Sequence, residues 1–311
     1  MQNTDYTKSD VYKKRLQRGM ASYSKFSPLN IRYYLRPGDG DKIRKAISIF
    51  LNPWEYLRRW MTYLSFSRTQ STSVRMCKGG YARFSVDDVR GGKDFLDQVC
   101  LFTENKRMQC VDNNFDPDDK YIIPHDDVIN HPFIMDFAVN KDLIKIASCY
   151  LKTIPVLYSV QLWHGGPNQA RAGSPCFHLD GLDTSCVRIY VYLNDISEDN
   201  GPFCIIPKNL SKEVIKKTGY SSGVIPDQDL YDLVGRDSLI EATGAKGTMV
   251  AGDTTQCFHY GSRIQKGERL VIIFTYASYF HNDPEAKLTR DTLSRYVTED
   301  PIEKKLLDVP V

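Results

Sequence analysis

No stretch of this 311-residue chain approaches the run of about 18 apolar residues that a spanning helix needs, so no transmembrane segment is expected. The eight cysteines form no Cys-x-x-Cys pair, and no apolar segment with a cleavage site opens the chain. A reducing, cytoplasmic setting is the expectation. Internal repeats are missing. Charged residues at 25% and apolar residues at 41% are ordinary globular proportions, which exclude a fibrous repeat or global disorder. Nucleic-acid modules and regular aromatic spacing are absent too, so no nucleic-acid partner is expected.

The charge that is present lies unevenly. The net charge is +3, yet residues 1–66 hold thirteen Lys or Arg against five Asp or Glu, a local +8. Such a region can face an anionic partner; a solvated surface or an oligomer contact is the reading adopted. The length suits one elaborated domain. Within it we read a weakly ordered basic arm over 1–30, a mostly helical elaboration over 31–150, a β-core over 151–281 and a C-terminal extension over 282–311.

Residues 41–50 could form a short helix, and Asn52-Pro53-Trp54-Glu55 then has the order of a helix start. Asn is the N-cap, Pro takes the first helical position and Glu closes a capping box. Trp54, Leu57, Met61 and Leu64 follow at helical spacing, with Arg58 and Arg59 off the stripe. The stripe is expected to pack on the domain, the alternative being a helix lying on a membrane surface. Residues 79–85 read as a strand, 95–103 as helix or strand, and 130–151 as helix, from Phe133, Phe137, Leu143, Ile146 and Ala147. β-Branched and aromatic segments at 156–163, 187–193, 203–206, 247–251 and 270–280 alternate with Gly, Pro, Asn and Asp clusters. They argue for a sandwich or barrel, mainly β with flanking helices (α+β). Residues 165–176 and 208–236, the second charged and partly helical, are irregular insertions of the kind that serve as lids or specificity elements.

The chemistry gathers in Ser174-Pro-Cys-Phe-His-Leu-Asp180 and Thr254-Thr-Gln-Cys-Phe-His259, with Arg269 ten residues beyond. His178, Asp180 and His259 supply two imidazoles and one carboxylate, the ligand set of a non-haem Fe(II) oxygenase with open positions for chemistry. Arg269 opens the apolar run to Phe274, and its planar guanidinium suits bidentate capture of a carboxylate. With Val187-Arg-Ile-Tyr-Val-Tyr-Leu-Asn-Asp195, Asn200-Gly-Pro-Phe203 and Ile205-Ile-Pro207 following in order, residues 120–281 resemble the phytanoyl-CoA dioxygenase family of iron- and 2-oxoglutarate-dependent oxygenases. The resemblance implies a double-stranded β-helix of the jelly-roll and cupin type. It also implies Fe(II), 2-oxoglutarate as co-substrate and dioxygen. Arg269 would hold the far carboxylate of 2-oxoglutarate, with Ser262 hydrogen-bonding the same molecule. The implied reaction is hydroxylation of an unactivated carbon of a small-molecule substrate, with release of succinate and CO2. Related halogenases lack the carboxylate that Asp180 provides, which favours hydroxylation. The alternatives are a membrane-surface lipid or acyl-chain hydroxylase and a non-catalytic binding protein on the same fold.

Rival residues are weighed on context. His125-Asp126-Asp127 is a second His-x-Asp, but it precedes a helical stretch and has no strand to hold two ligands, whereas residues i and i+2 of an extended chain share a face. His164, at a strand end, is read as an ordinary surface histidine. Arg263 in Gly261-Ser262-Arg263 is assigned to a turn at the surface. A zinc site would use the same donors but gives Arg269 no role. Cys176 and Cys257, each two residues before a ligand histidine, are read as packing residues. On 187–193, Arg188, Tyr190 and Tyr192 share one face and Val187, Ile189, Val191 and Leu193 the other. Alternation leaves both faces open. If the first faces inward, Tyr190 and Tyr192 contact co-substrate or substrate and Arg188 binds an anion.

Overall fold

The apolar segments around residues 156–163 and 270–280 become the two longest strands of a computed structural model, which describes residues 46–47, 49–111, 125–167, 175–220, 222–280 and 288–309. In chain order come α1 (Pro53–Thr69), β1 (Tyr81–Ser85), α2 (Gly92–Val111), α3 (Pro132–Ala138) and α4 (Lys141–Leu151). Strands β2 (Val156–Gly165), β3 (Phe177–His178), β4 (Cys186–Tyr192) and β5 (Phe203–Ile205) follow. Helix α5 (Lys208–Thr218), β6 (Val224–Ile225) and α6 (Asp227–Val234) fill the long insertion. Strands β7 (Ile240–Ala242), β8 (Thr248–Gly252), β9 (His259–Tyr260) and β10 (Arg269–Ala277) precede α7 (Arg290–Leu293) and α8 (Pro301–Leu307). The arm expected over 1–30 lies outside the described residues. No helix among the described residues is long and apolar enough to cross a membrane.

The strands form two antiparallel five-stranded sheets. The larger has the order β1-β8-β4-β10-β2 and the smaller β6-β3-β9-β5-β7. Side-chain alternation sorts their residues into three apolar layers. Ile189, Val191, Ile272 and Phe274 turn outward from the large sheet toward α2, α3 and α4, where Phe95 stacks on Phe137 at 3.8 Å. Tyr190, Tyr192, Val250, Val271 and Ile273 turn the other way and meet Phe203, Ile205 and Ala242 of the small sheet. Beyond the small sheet, Phe177, Phe258 and Tyr260 lie under Val214, Ile215 and Leu230 of the insertion. Arg188, Tyr190 and Tyr192 therefore point between the sheets. Each large apolar side chain buried in these layers contributes about 1.5–3 kcal/mol, so both faces of each sheet are committed.

Several local expectations change for identifiable reasons. Residues 95–103 belong to α2. The helical stretch at 130–151 divides, because Pro132 starts α3 and the Asn140 side chain accepts the Asp142 amide at 2.9 Å to begin α4 anew. The carboxylate of Asp142, which is buried, accepts from Arg90 and Gln70 and ties α4 to two other segments. Strands of two residues, such as β3, β6 and β9, are too short to produce a readable period.

Helix α1 reverses its expected orientation. Trp54 is 76% exposed, Met61 51% and Leu57 38%, so three of the four stripe residues face outward while Leu64 is half-buried, and the face against the body contains Arg59 at 1%. The Arg59 guanidinium donates to the carbonyls of Lys305 at 2.8 Å, Asp308 at 2.8 Å, and Ile154 and Pro155 at 3.3 Å. Its Nε donates to Glu55 at 2.7 Å, and the ring of Tyr279 lies 4.4 Å away. Burying a cation is permitted here because nearly every donor finds an acceptor. The same pairing recruits Glu55, and Asn52 makes no side-chain cap; the expected capping box does not form. Removing one side of a buried, hydrogen-bonded ionic network costs about 3–5 kcal/mol. Arg59→Ala is expected to lose that much stability in urea denaturation. Leu57→Asp, at an exposed position, is expected to change it by less than about 0.5 kcal/mol. The opposite ranking would show that the apolar stripe, and not Arg59, secures α1.

Candidate metal centre

The site begins with the register of two very short strands. In β3 and β9, His178 and His259 are direct Cα partners, so both rings emerge on the same face, 4.4 Å apart between centroids. Their neighbours Phe177 and Tyr260 turn to the opposite, insertion-covered face. Asp180 lies just beyond β3, where its amide donates to the Thr254 carbonyl at 2.9 Å. The chain thereby stays beside the 254–259 segment.

Backbone carbonyls set the imidazoles. His178 Nδ1 lies 2.8 Å from the Cys176 carbonyl and His259 Nδ1 3.1 Å from the Cys257 carbonyl. A carbonyl can only accept, so each Nδ1 bears the proton and each Nε2 keeps its lone pair. Those Nε2 atoms converge on Asp180, 3.6 Å from Oδ1 for His178 and 3.9 Å from Oδ2 for His259. The three ligand atoms lie within 4.8 Å of one another. Cys176 and Cys257 thus act through their carbonyls, a role that residue type does not reveal. The Cys257 thiol turns away to the Gly79 carbonyl at 3.5 Å.

Electrostatics favour a cation among these donors. Burial opposes ionisation of Asp180, but Arg188 beside it and the two imidazoles overcome that and hold its carboxyl far below the usual carboxylate range. Arg188 Nη2 lies 3.0 Å from Oδ2, an ion pair whose angles do not make a hydrogen bond, so this buried oxygen keeps acceptor capacity. For His259, burial pushes the imidazole down to about 3, with His178 adding to the effect. For His178, burial acts in the same direction, but the neighbouring Asp180 carboxylate outweighs it and raises the imidazole above its ordinary value. A converging carboxylate and two lone-pair nitrogens, with an unsatisfied buried oxygen among them, suit a divalent metal such as iron or zinc.

Arg269 opens β10 at 3% exposure, on the same parity as the inward-facing Val271 and Ile273. Its Nη1 donates to Ser262 Oγ at 3.0 Å, while Nε and Nη2 have no partner. Ser262 has φ +64°, a left-handed conformation that an L-residue adopts only when its surroundings demand it. The demand comes from Asn200 and Gly201. Gly201 accepts the Ser262 amide at 3.2 Å, and a Cβ at Gly201 would lie 2.8 Å from the Arg263 nitrogen, so only glycine permits the approach. Asn200 donates to the carbonyls of Lys266 and Glu268, and Asn194 accepts the Leu270 amide at 2.8 Å. The backbone on both sides of Arg269 is pinned.

The other candidates separate cleanly. Tyr190 stacks on Phe203 at 4.4 Å, and Phe203 lies 5.7 Å from the His259 ring. Tyr192 spends its hydroxyl structurally, donating to the Ala242 carbonyl at 2.6 Å and accepting the Phe203 amide at 3.2 Å. Arg263 is a clamp and not a free surface residue. It pairs with both carboxylate oxygens of Asp227 at 2.5 and 2.8 Å, donates to the Pro175 carbonyl and covers the Tyr260 ring at 3.5 Å, on the insertion side of the small sheet. A cleft of about 1190 Å³ beside it, bounded by Pro175, Pro226 and Gln265, includes none of the three donors in its lining. His164 pairs with Glu268 at 3.0 Å. His125 starts a 3-10 turn over His125–Asn130, and among the described residues only His178, Asp180 and His259 form a group able to hold a metal.

No protein-family model matches the chain, and no curated protein matches it in sequence. Solved structures are similar in part. AviO1 from Streptomyces viridochromogenes Tue57 is 16% identical, over 67% of this chain and 92% of that one, with a TM-score of 0.45. HygX from Streptomyces hygroscopicus, solved with nickel and 2-oxoglutarate bound, is 16% identical over 65% and 83% of the two chains at a TM-score of 0.44. EctD from S. alaskensis, solved with 2-oxoglutarate and 5-hydroxyectoine, is 16% identical over 65% and 73% at 0.45.

The geometry carries a direct expectation for metal binding. Anaerobic titration with Fe(II), or with Co(II) as its spectroscopic substitute, is expected to saturate at one ion per chain. His178→Ala and His259→Ala are expected to abolish that binding, while His125→Ala and His164→Ala retain it. Retention of full affinity by His259→Ala would disprove the assignment.

Proposed function

We propose that the chain is an Fe(II)- and 2-oxoglutarate-dependent dioxygenase of the phytanoyl-CoA dioxygenase kind. Its core is a single double-stranded β-helix domain, and it hydroxylates an unactivated carbon of a small-molecule substrate. The observation that carries this reading is the pairing of a converging His178, Asp180 and His259 set with Arg269, a buried guanidinium that retains two unpartnered nitrogens. A structural zinc site would use the first feature and leave the second without purpose. The seven described cysteines are free thiols, in keeping with a cytoplasmic setting.

Each residue then has a task. His178, Asp180 and His259 hold Fe(II), with their tautomers fixed by the Cys176 and Cys257 carbonyls. Arg188 neutralises Asp180 from the large sheet. Arg269 receives the far carboxylate of 2-oxoglutarate through the donors that Ser262 leaves free. When bound, iron with dioxygen and 2-oxoglutarate supplies the oxidising power that inserts one oxygen atom into a C–H bond, the co-substrate leaving as succinate and CO2. The protein contributes orientation and exclusion of water, and Tyr190 with Phe203 forms an aromatic wall beside His259.

Loss of one partner from a buried charge-assisted pair costs about 2–5 kcal/mol. Arg269→Ala is therefore expected to weaken 2-oxoglutarate binding by that amount in calorimetry on the Co(II)-loaded protein, with metal affinity unchanged. Arg263→Ala, on the other side of the small sheet, is expected to leave co-substrate binding intact. If Arg263→Ala produces the loss and Arg269→Ala does not, the co-substrate arginine has been misassigned. Substrate-stimulated succinate formation, screened over small-molecule candidates, tests the reaction itself.

A further inference from the structure

We propose that the outward face of α1 is a docking surface for an anionic lipid bilayer, a property separate from the metal centre. Trp54, Leu57, Trp60 and Met61 lie on this face at 76%, 38%, 38% and 51% exposure, and Phe50 at 84% and Leu51 at 42% extend it from the segment just before Asn52. Apolar side chains scattered singly over a surface need no explanation; six within twelve residues of sequence, two of them tryptophan, do.

The face is presented and not merely left over. An amphipathic helix normally turns its apolar stripe to the core, and here Arg59 prevents it, fixed by four backbone carbonyls and Glu55 on the body side. Tyr63 and Phe66 also face inward, so α1 is anchored by one face while the other stays outside. A rigid helix with tryptophan, phenylalanine and methionine outward has the composition of an interfacial helix, whose aromatic rings settle at headgroup level.

Charge selects the occupant. Residues 1–66, which lead into and include most of α1, have thirteen basic and five acidic residues. Arg58, on α1 itself, is 67% exposed beside the apolar face, and the carboxylate it reaches, Glu55 at 3.4 Å, is shared with the buried Arg59 at 2.7 Å. An anionic bilayer neutralises this charge, and its attraction falls with salt. A second copy of the chain carries the same excess of positive charge in its sequence and offers no opposite charge to neutralise it.

The test uses the full chain and sedimentation with vesicles of phosphatidylcholine, with and without phosphatidylserine, at low and high salt. Binding to the phosphatidylserine vesicles that weakens with salt is expected. The double variant Trp54→Glu/Met61→Glu is expected to bind at least tenfold less, with the same melting temperature and the same mass in solution. No sedimentation of the unaltered chain, or equal binding by the variant, overturns the proposal. A fall of several degrees in the variant's melting temperature overturns it in favour of a face covered by the chain's own N-terminal segment. A drop from dimer to monomer does so in favour of a second copy. Arg58→Gln, which removes the charge without setting a second carboxylate beside Glu55, is predicted to reduce binding without altering the melting temperature and tests the electrostatic part.

Discussion

The centre depends on keeping the Asp180 carboxylate charged where little water reaches it. Desolvating a carboxylate costs several kcal/mol, and the cost is met across the interior by Arg188, 3.0 Å away. The arrangement couples the two sheets. Asp180 follows β3 of the small sheet, while Arg188 projects from β4 of the large one, whose register opposes it to Gly252 and Thr275. A slip of one residue in β4 would exchange Arg188 for an aliphatic neighbour and leave the carboxylate uncompensated. The long, fully buried pairing of β10 with β4 and β2 secures that register. A rigid large sheet is thus a condition for a usable ligand set on the small one.

Arginines in this chain divide by whether their donors are satisfied. Arg59 is as buried as Arg269, but its guanidinium is occupied by carbonyls and by Glu55, and its work is to fasten α1. Arg263 is occupied by Asp227 and Pro175 and fastens the insertion. Arg269 alone of these three has only a serine hydroxyl and two idle nitrogens. Leaving buried donors unpaired costs about 1–3 kcal/mol each, a penalty that a carboxylate ligand would remove on binding. Arg188 also keeps an unpartnered buried Nε, but its charge is met by Asp180 at 3.0 Å, whereas no carboxylate among the described residues pairs with Arg269.

Much of the site could be read in advance because its parts are local. His178 and Asp180 are two residues apart on an extended chain and Arg269 heads an apolar strand, but a lone His-x-Asp is a weak signal. It was the ordered set of motifs in the family resemblance that added His259, whose side chain the structure brings beside the other two. The long strands β2, β4 and β10 also announced themselves by composition. What escaped was whatever depends on distant backbone. The inward face of β4 could not be chosen by alternation, because both of its faces are buried in different layers. The orientation of α1 failed for the same reason: the acceptors that claim Arg59 come from residues 154–155 and 305–308, far along the chain. Hydrophobic periodicity identified the stripe and misjudged what most of it faces, since the body side of α1 is taken by the hydrogen-bonded Arg59 guanidinium and Trp54 and Met61 are left outside.

The Asn200-Gly-Pro segment, which carried much of the family resemblance, turns out to be a brace. Asn200 grips the carbonyls of Lys266 and Glu268, and Gly201 comes close enough to hold Ser262 in a left-handed conformation. Both contacts converge on the residues that flank or touch Arg269. An unbraced arginine at the start of a strand would retain several rotamers and lose affinity in fixing one of them; here Ser262 and the pinned backbone have already selected it. Under the proposed function, Asn194 and Asn200 serve co-substrate binding without contacting it. The same reasoning accounts for Cys176 and Cys257, where the carbonyl sets the imidazole; at Cys257, which is fully buried, the side chain must also stay small enough to pack there.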